Sequence, residues 1–141
     1  MVKAELEEIA VAGEGNQFLM LLKTEQDDYI AMTIDGLQAQ SIITGRMKEK
    51  FPRPLTHDLM LSVLEMLSAT LLRVEVTDLN DHTYFARLVL ESRGIEIEID
   101  ARPSDALALA VRTNAEIFIA EHVVEEAAMT DDFSGPGTAE A

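Results

Sequence analysis

The sequence predicts a single α+β domain built from a mainly antiparallel sheet and two principal core helices. Three observations carry this: segments that alternate apolar and polar residues with period two, two apolar helical runs that each follow Arg-Pro, and a length of 141 residues, which suits one core. Val2 to Val11 and Gln17 to Lys23 read as strands joined across the GEGN cluster, with Tyr29 to Ile34 as a third. After Asp35-Gly36, LQAQSIITGRMKEK places Leu37, Ile43 and Met47 at roughly helical spacing, a helix that Thr44 and Gly45 weaken. THDLMLSVLEMLSA (Thr56 to Ala69) is the stronger signal. Thr56 is placed to cap, Asp58 lies in the first turn, and Met60, Val63, Leu64 and Leu67 form an apolar stripe, so a core-facing helix is expected.

Leu72 to Asp78, Tyr84 to Glu91 and Ile95 to Asp100 then alternate with period two, separated by the turn clusters LNDHT and SRG, which predicts an antiparallel meander. Pairing Leu90 with Ile97 and Leu88 with Ile99 keeps the apolar side chains on one face and sets Arg87 opposite Asp100. Pro103 to Thr113 is the second core helix, with Asn114 suited to the left-handed position that ends it. Ile117 to Ala120 reads as a short strand and Glu121 to Ala128 as a short helix. Residues 1–128 therefore form the domain, and the polar stretch 129–141 is expected to be a flexible C-terminal tail.

Charge limits the partners. Eleven Lys and Arg against 26 Asp and Glu give a formal net charge of −15, which opposes broad binding to polyanions. Any nucleic-acid contact must be local. The local exception is RMKEKFPR (Arg46 to Arg53), a cationic strip with Phe51, which also suits a solvated helix end. No apolar run approaches membrane-spanning length, the first ten residues lack the pattern of a signal peptide, and there are no cysteines. A cytoplasmic protein without a membrane partner is expected. The absent thiols leave three histidines and the carboxylates as the groups for acid-base chemistry or metal binding.

Two helix starts share a plan: Arg53-Pro54-Leu55-Thr56-His57-Asp58 and Arg102-Pro103-Ser104-Asp105. Hydroxyl, acid and proline residues are ordinary helix-start chemistry, so Thr56, Asp58, Ser104 and Asp105 have a structural role available. Arg53, His57 and Arg102 are surplus to it. An arginine beside free helix amides suits phosphate, and a histidine there is biased toward its neutral form, as a general base or metal ligand requires. Asp100 closes a strand whose Glu96, Glu98 and Asp100 share one face, a row that is either solvated or a source of oxygen ligands.

PRPLTHDLM, TDLNDHTYFARLVL and EIDARPSDALALAVRT, in this order, closely resemble the bifunctional nuclease domain family. The resemblance runs from about Met1 to Ala128 and is strongest in the second half; Asn114 and Glu116 stand where the family commonly has Gly and Pro. It implies an α+β fold, RNase and DNase activity and a homo-oligomer. The family's characteristic positions would be Arg53, Pro54, Thr56, His57 and Asp58, then Asp100, Arg102, Pro103, Ser104 and Asp105. The expected function is hydrolysis of RNA or DNA phosphodiesters, with His57 as general base or metal ligand. Asp58, Asp100 and Asp105 would be metal-binding or positioning carboxylates, Asp100 and Asp105 holding Mg or Mn, while Arg53, Arg102, Thr56 and Ser104 bind substrate. The alternative is a non-catalytic regulatory module whose acidic surface meets a protein partner.

Overall fold

The structure, a computed structural model, describes residues 1–13, 15–129 and 139–141. Its elements run β1 (Val2–Val11), β2 (Gln17–Thr24), β3 (Tyr29–Asp35), α1 (Gly36–Arg46), α2 (Thr56–Met66), β4 (Ala69–Asn80), β5 (Thr83–Ser92), β6 (Ile95–Ala101), α3 (Pro103–Thr113), β7 (Glu116–Ile119), α4 (Glu121–Ala127) and β8 (Ala139–Glu140). The period-two segments are all strands. Asp81, His82, Arg93 and Gly94 take positive φ, the geometry of two-residue hairpins whose twist matches the flanking strands. The register expected for β5 and β6 is present: Leu88 faces Ile99, Leu90 faces Ile97 and Arg87 faces Asp100.

The sheet is mainly antiparallel, as expected, but mixed rather than purely so. Its order is β4-β7-β1-β2-β3-β8-β5-β6, and β4 also pairs with β5, so the sheet curls back on itself. β4–β7, β3–β8 and β5–β8 are parallel; the other pairings are antiparallel. The physical reason is the crossover: α3 carries the chain past the sheet, so β7 enters in the same direction as β4. Of the segment expected as a tail, residues 130–138 lie outside the described residues. Met129 bridges Tyr29, and Ala141 is buried with its N–H on the Thr33 carbonyl. Among the described residues no helix is long and apolar enough to cross a membrane.

One core fills the curl, and α3 contributes more buried residues to it than α1 or α4. Ala106, Leu107, Ala108, Leu109 and Ala110 are all buried, packed with Met20, Leu22, Ile30 and Met32 of the β2–β3 hairpin and Val74, Val76, Leu88 and Leu90 of β4 and β5. Asn114 ends α3 at φ 59°, as its amide side chain tolerates. The apolar spacing misled for the other two long helices. α2 buries no residue completely: Leu61 and Leu64 lean on the core, whereas Met60, Val63 and Leu67 of the expected stripe are exposed. In α1 and at its C-cap, Leu37, Ile43 and Met47 are exposed, and the inner side of the helix is Ala39, Ile42, Thr44 and Gly45. Hydrophobic spacing identifies an apolar face without showing that anything covers it.

A charge also ties α2 to the other helices. The Arg112 guanidinium, only 7 % exposed, donates from Nε to Asp58 Oδ1 of α2 at 2.8 Å and from Nη1 to the Ser41 carbonyl of α1 and the Ala108 carbonyl of α3, both at 2.9 Å. One side chain thus joins three helices. Gly45 makes room for it, since a Cβ there would overlap Nη1 and approach the Val111 methyl to 3.0 Å. Asp58 Oδ2 also accepts the Leu55 N–H at 3.0 Å. Burial pushes the Asp58 carboxyl up, but the bonds from Arg112 and Leu55 outweigh it and hold the group below the ordinary value. A second charge cluster lies on the sheet, where buried Glu75 accepts from Arg73 Nε at 2.9 Å and Arg87 Nε at 2.6 Å. Burial raises the Glu75 carboxyl as well, and the two arginines more than reverse the effect.

Leu107→Ala, at a fully buried position, is expected to cost about 2–5 kcal/mol in denaturant unfolding. Leu67→Ala, at a position 67 % exposed, is expected to stay within about 0.5 kcal/mol. Equal losses at both sites would show that α2 is covered in solution. Because the Asp58 pKa is depressed in the folded state, its stabilisation is complete above the ordinary value of 3.8 and is lost as pH falls through the folded value. Asp58→Asn should therefore lower Tm at neutral pH, by an amount that shrinks on acidification below 3.8. Thermal melts across that range measure the difference.

Candidate functional site

His57 stands one residue into α2, with both ring nitrogens engaged. Nδ1 lies 2.6 Å from Ser41 Oγ of α1, and Nε2 lies 2.9 Å from Asp105 Oδ1 in the first turn of α3. Three helix segments therefore meet at one imidazole. The ring is 13 % exposed and the Asp105 side chain 47 %, so the carboxylate end opens to solvent and the ring does not. A carboxylate only accepts hydrogen bonds. In the neutral imidazole with its proton on Nε2, the Nδ1 lone pair accepts the Ser41 hydroxyl; in the imidazolium Nδ1–H would donate to Ser41 Oγ instead.

The local sequence explains this convergence. Asp35 caps α1 by accepting the Gln38 N–H at 2.8 Å, while Gln38 Oε1 accepts the Asp35 N–H at 2.9 Å, a reciprocal pair that fixes where α1 begins. Gln38 Nε2 then reaches Ser104 Oγ at 3.1 Å and ties α1 to the start of α3. Ser41, one turn further, is presented toward α2. In α3, Arg102 is the N-cap residue and Pro103 occupies the first turn, where its missing N–H costs nothing. Asp105, two residues on, keeps its carboxylate free for His57 instead of spending it on a cap.

The residues singled out by sequence divide into groups. His57 and Asp105 are in contact. Asp58, beside His57, pairs with Arg112. Ser104 is buried and accepts from Gln38 without capping α3 through its side chain. Thr56 is the first residue of α2 and exposed, and the N-cap position belongs to Leu55, so Thr56 does not cap. Arg53 is exposed on the segment that enters α2, and no hydrogen bond or ion pair among the described residues includes it. Arg102 donates from Nη2 to Ala141 O at 3.2 Å.

Asp100 is exposed at the end of β6, and no ion pair joins it to the arginine opposite. Arg87 turns instead to Glu75 across β4 and to Glu98 at 3.0 Å, while Glu96 lies 3.8 Å from Arg73. The carboxylate row on β6 is thus partly neutralised by arginines of the neighbouring strands. Among the described residues no group of three or more His, Asp or Glu side chains converges as a metal centre requires. Asp58 pairs with Arg112, and Asp105 meets His57 through Oδ1.

Sequence reasoning missed Ser41 and Arg112. Ser41 sits inside a helical run with no motif around it, and Arg112 carries the ordinary signal of a cation complementing a helix C-terminus. One indication was available: a glycine inside a helix, Gly45, marks a close approach by some other group.

Comparison with known proteins agrees with this reading of the motifs. The model of the bifunctional nuclease domain matches residues 19–132. Two curated relatives, uncharacterised proteins of Mycobacterium tuberculosis strains CDC 1551 and H37Rv, are each 33% identical over 122 residues, covering 86% of this chain and 73% of the relative. His57, Asp58, Asp100, Arg102 and Asp105 all fall inside the matched span. The chain belongs to the bifunctional nuclease domain family.

Proposed function

We propose that this protein hydrolyses phosphodiester bonds of RNA or DNA, with His57 as the group that moves the proton. The observation that carries the reading is the 2.9 Å contact between His57 Nε2 and Asp105 Oδ1, which brings together one residue from each of the two Arg-Pro helix starts. Asp105 holds the imidazole in one tautomer and steadies the positive charge that forms when Nδ1 takes a proton. Asp58 acts indirectly, by anchoring α2 through Arg112. Family membership supports the reaction class.

The exposed Arg53 is the proposed phosphate ligand, with Lys50 and Phe51 of the same segment offering a second charge and a face for a base. Such a short strip keeps binding local on a chain of net charge −15, so affinity should fall only modestly with salt, with a log–log slope of roughly −0.7 per phosphate contact on a single strand. Arg102, bonded to Ala141, and Ser104, bonded to Gln38, support the start of α3 in this scheme. The rival reading is a non-catalytic module that binds a protein partner or a second copy through the apolar side of α2, where Leu59, Val63, Met66 and Leu67 are exposed. The cytoplasmic placement is part of the same proposal.

The test is cleavage of single-stranded RNA and DNA by purified protein, with Mg or Mn and with chelator, alongside His57→Ala and Asp105→Asn. Cleavage is expected to drop by about 10² to 10⁴ in His57→Ala. Arg53→Ala should raise KM with little change in kcat. A His57→Ala protein as active as the parent would sink the nuclease reading at this site, and a parent inactive under every condition would favour the binding module.

A further inference from the structure

Both nitrogens of the His57 ring are taken up inside the protein, which limits how the ring can exchange a proton with anything outside. Nε2 is closed by Asp105 and Nδ1 by Ser41. A proton that reaches Nδ1 without breaking this arrangement comes from the Ser41 hydroxyl. A serine or threonine hydroxyl inside a helix commonly turns out to solvent or back to the carbonyl one turn earlier. Ser62 does the latter in α2, with the Asp58 carbonyl at 3.2 Å, and Thr113 does so in α3, with the Leu109 carbonyl at 3.0 Å. Ser41 differs: among the described residues its hydroxyl has His57 as its partner, at the short distance of 2.6 Å. Its backbone is held from the other side, where the Ser41 carbonyl accepts Arg112 Nη1 at 2.9 Å and Thr44 Oγ1 at 3.3 Å.

We propose that Ser41 is a nucleophile activated by His57 and oriented through Asp105, and that its target is the phosphorus of the phosphodiester. The target rests on the nuclease reading above. A nucleophile within hydrogen-bond reach of a base, with that base oriented by a third group, is the arrangement that lets a neutral hydroxyl attack. Ser41 Oγ forms a bond to phosphorus as its proton passes to His57 Nδ1. The bond from phosphorus to the leaving ribose oxygen breaks on the opposite side, and that oxygen takes a proton from a water molecule. The hydroxide so formed attacks phosphorus in a second step. Ser41 Oγ departs and recovers its proton from Nδ1, so one water is consumed for each bond cut.

A fluorophosphonate carrying a reporter group, allowed to react with the full chain and mapped by mass spectrometry, tests the nucleophile apart from cleavage. One adduct on Ser41 is expected, formed about a hundredfold more slowly in His57→Gln and Asp105→Asn, with folding of each variant checked by circular dichroism. A Ser41 that stays unlabelled, or is labelled as fast in His57→Gln, overturns the proposal. In the cleavage assay Ser41→Ala should lose about a hundredfold or more in kcat while binding RNA as the parent does. A Ser41→Ala protein with parental kcat overturns it too. The two proposals fail differently: cleavage that needs His57 but not Ser41 removes the nucleophile and leaves the nuclease. Labelling of Ser41 in a protein that cuts neither RNA nor DNA removes the nuclease and the phosphodiester target together.

Discussion

One buried guanidinium ties α1, α2 and α3 together. Arg112 lies in the last turn of α3, almost without solvent, and its donors reach a carboxylate on α2 and carbonyls on α1 and α3. Removing such a charge from water is costly unless its donors are met with good geometry, and here the planar fork meets three acceptors at 2.8 to 2.9 Å. Asp58 is spared part of the same cost by its exposure. The result is directional in a way that apolar packing is not. Leu61 and Leu64 would tolerate small shifts of α2 along the core, whereas the bond to Asp58 admits one position.

That position sets the surroundings of His57. His57 is the neighbour of Asp58 in α2, so the bond that anchors α2 also delivers the imidazole to Ser41 and Asp105. The same guanidinium holds the Ser41 carbonyl, which fixes the other end of the relay. Two of the three helices reach the site for independent reasons as well: α1 through the Asp35–Gln38 cap and the Gln38–Ser104 bond, and α3 through its largely apolar buried face. On the proposed nuclease reading, a site assembled on helix segments whose relative placement is fixed by charged hydrogen bonds would need little rearrangement when substrate arrives.

Much of the fold was legible because it is local. Period-two alternation identified the long strands and the β5–β6 register, since side chains on a pleated strand must alternate. The pairs Asp81-His82 and Arg93-Gly94 marked hairpins because few residues accept positive φ. The apolar spacing of α2 was legible too, yet it misled. Met60, Val63 and Leu67 form a face, and whether a face is buried depends on what the rest of the chain places over it. The parallel β4–β7 pairing was hidden for a related reason, because strand direction is set by a crossover that no short pattern encodes.

By itself the sequence determined the elements, the turns, the shortage of cation outside RMKEKFPR, and the two Arg-Pro helix starts from which His57 and Asp105 come. These rest on interactions within a turn or between adjacent strands. Only the tertiary structure decided that His57 meets Ser41 and Asp105, that Arg87 turns to Glu75 and Glu98 rather than to Asp100, and that Arg102 turns to Ala141. Each of those choices pits one acceptor against another at close range. The outcome follows from a few ångströms of helix placement, and here that placement is governed by a charge on α3 whose carboxylate partner lies 54 residues away.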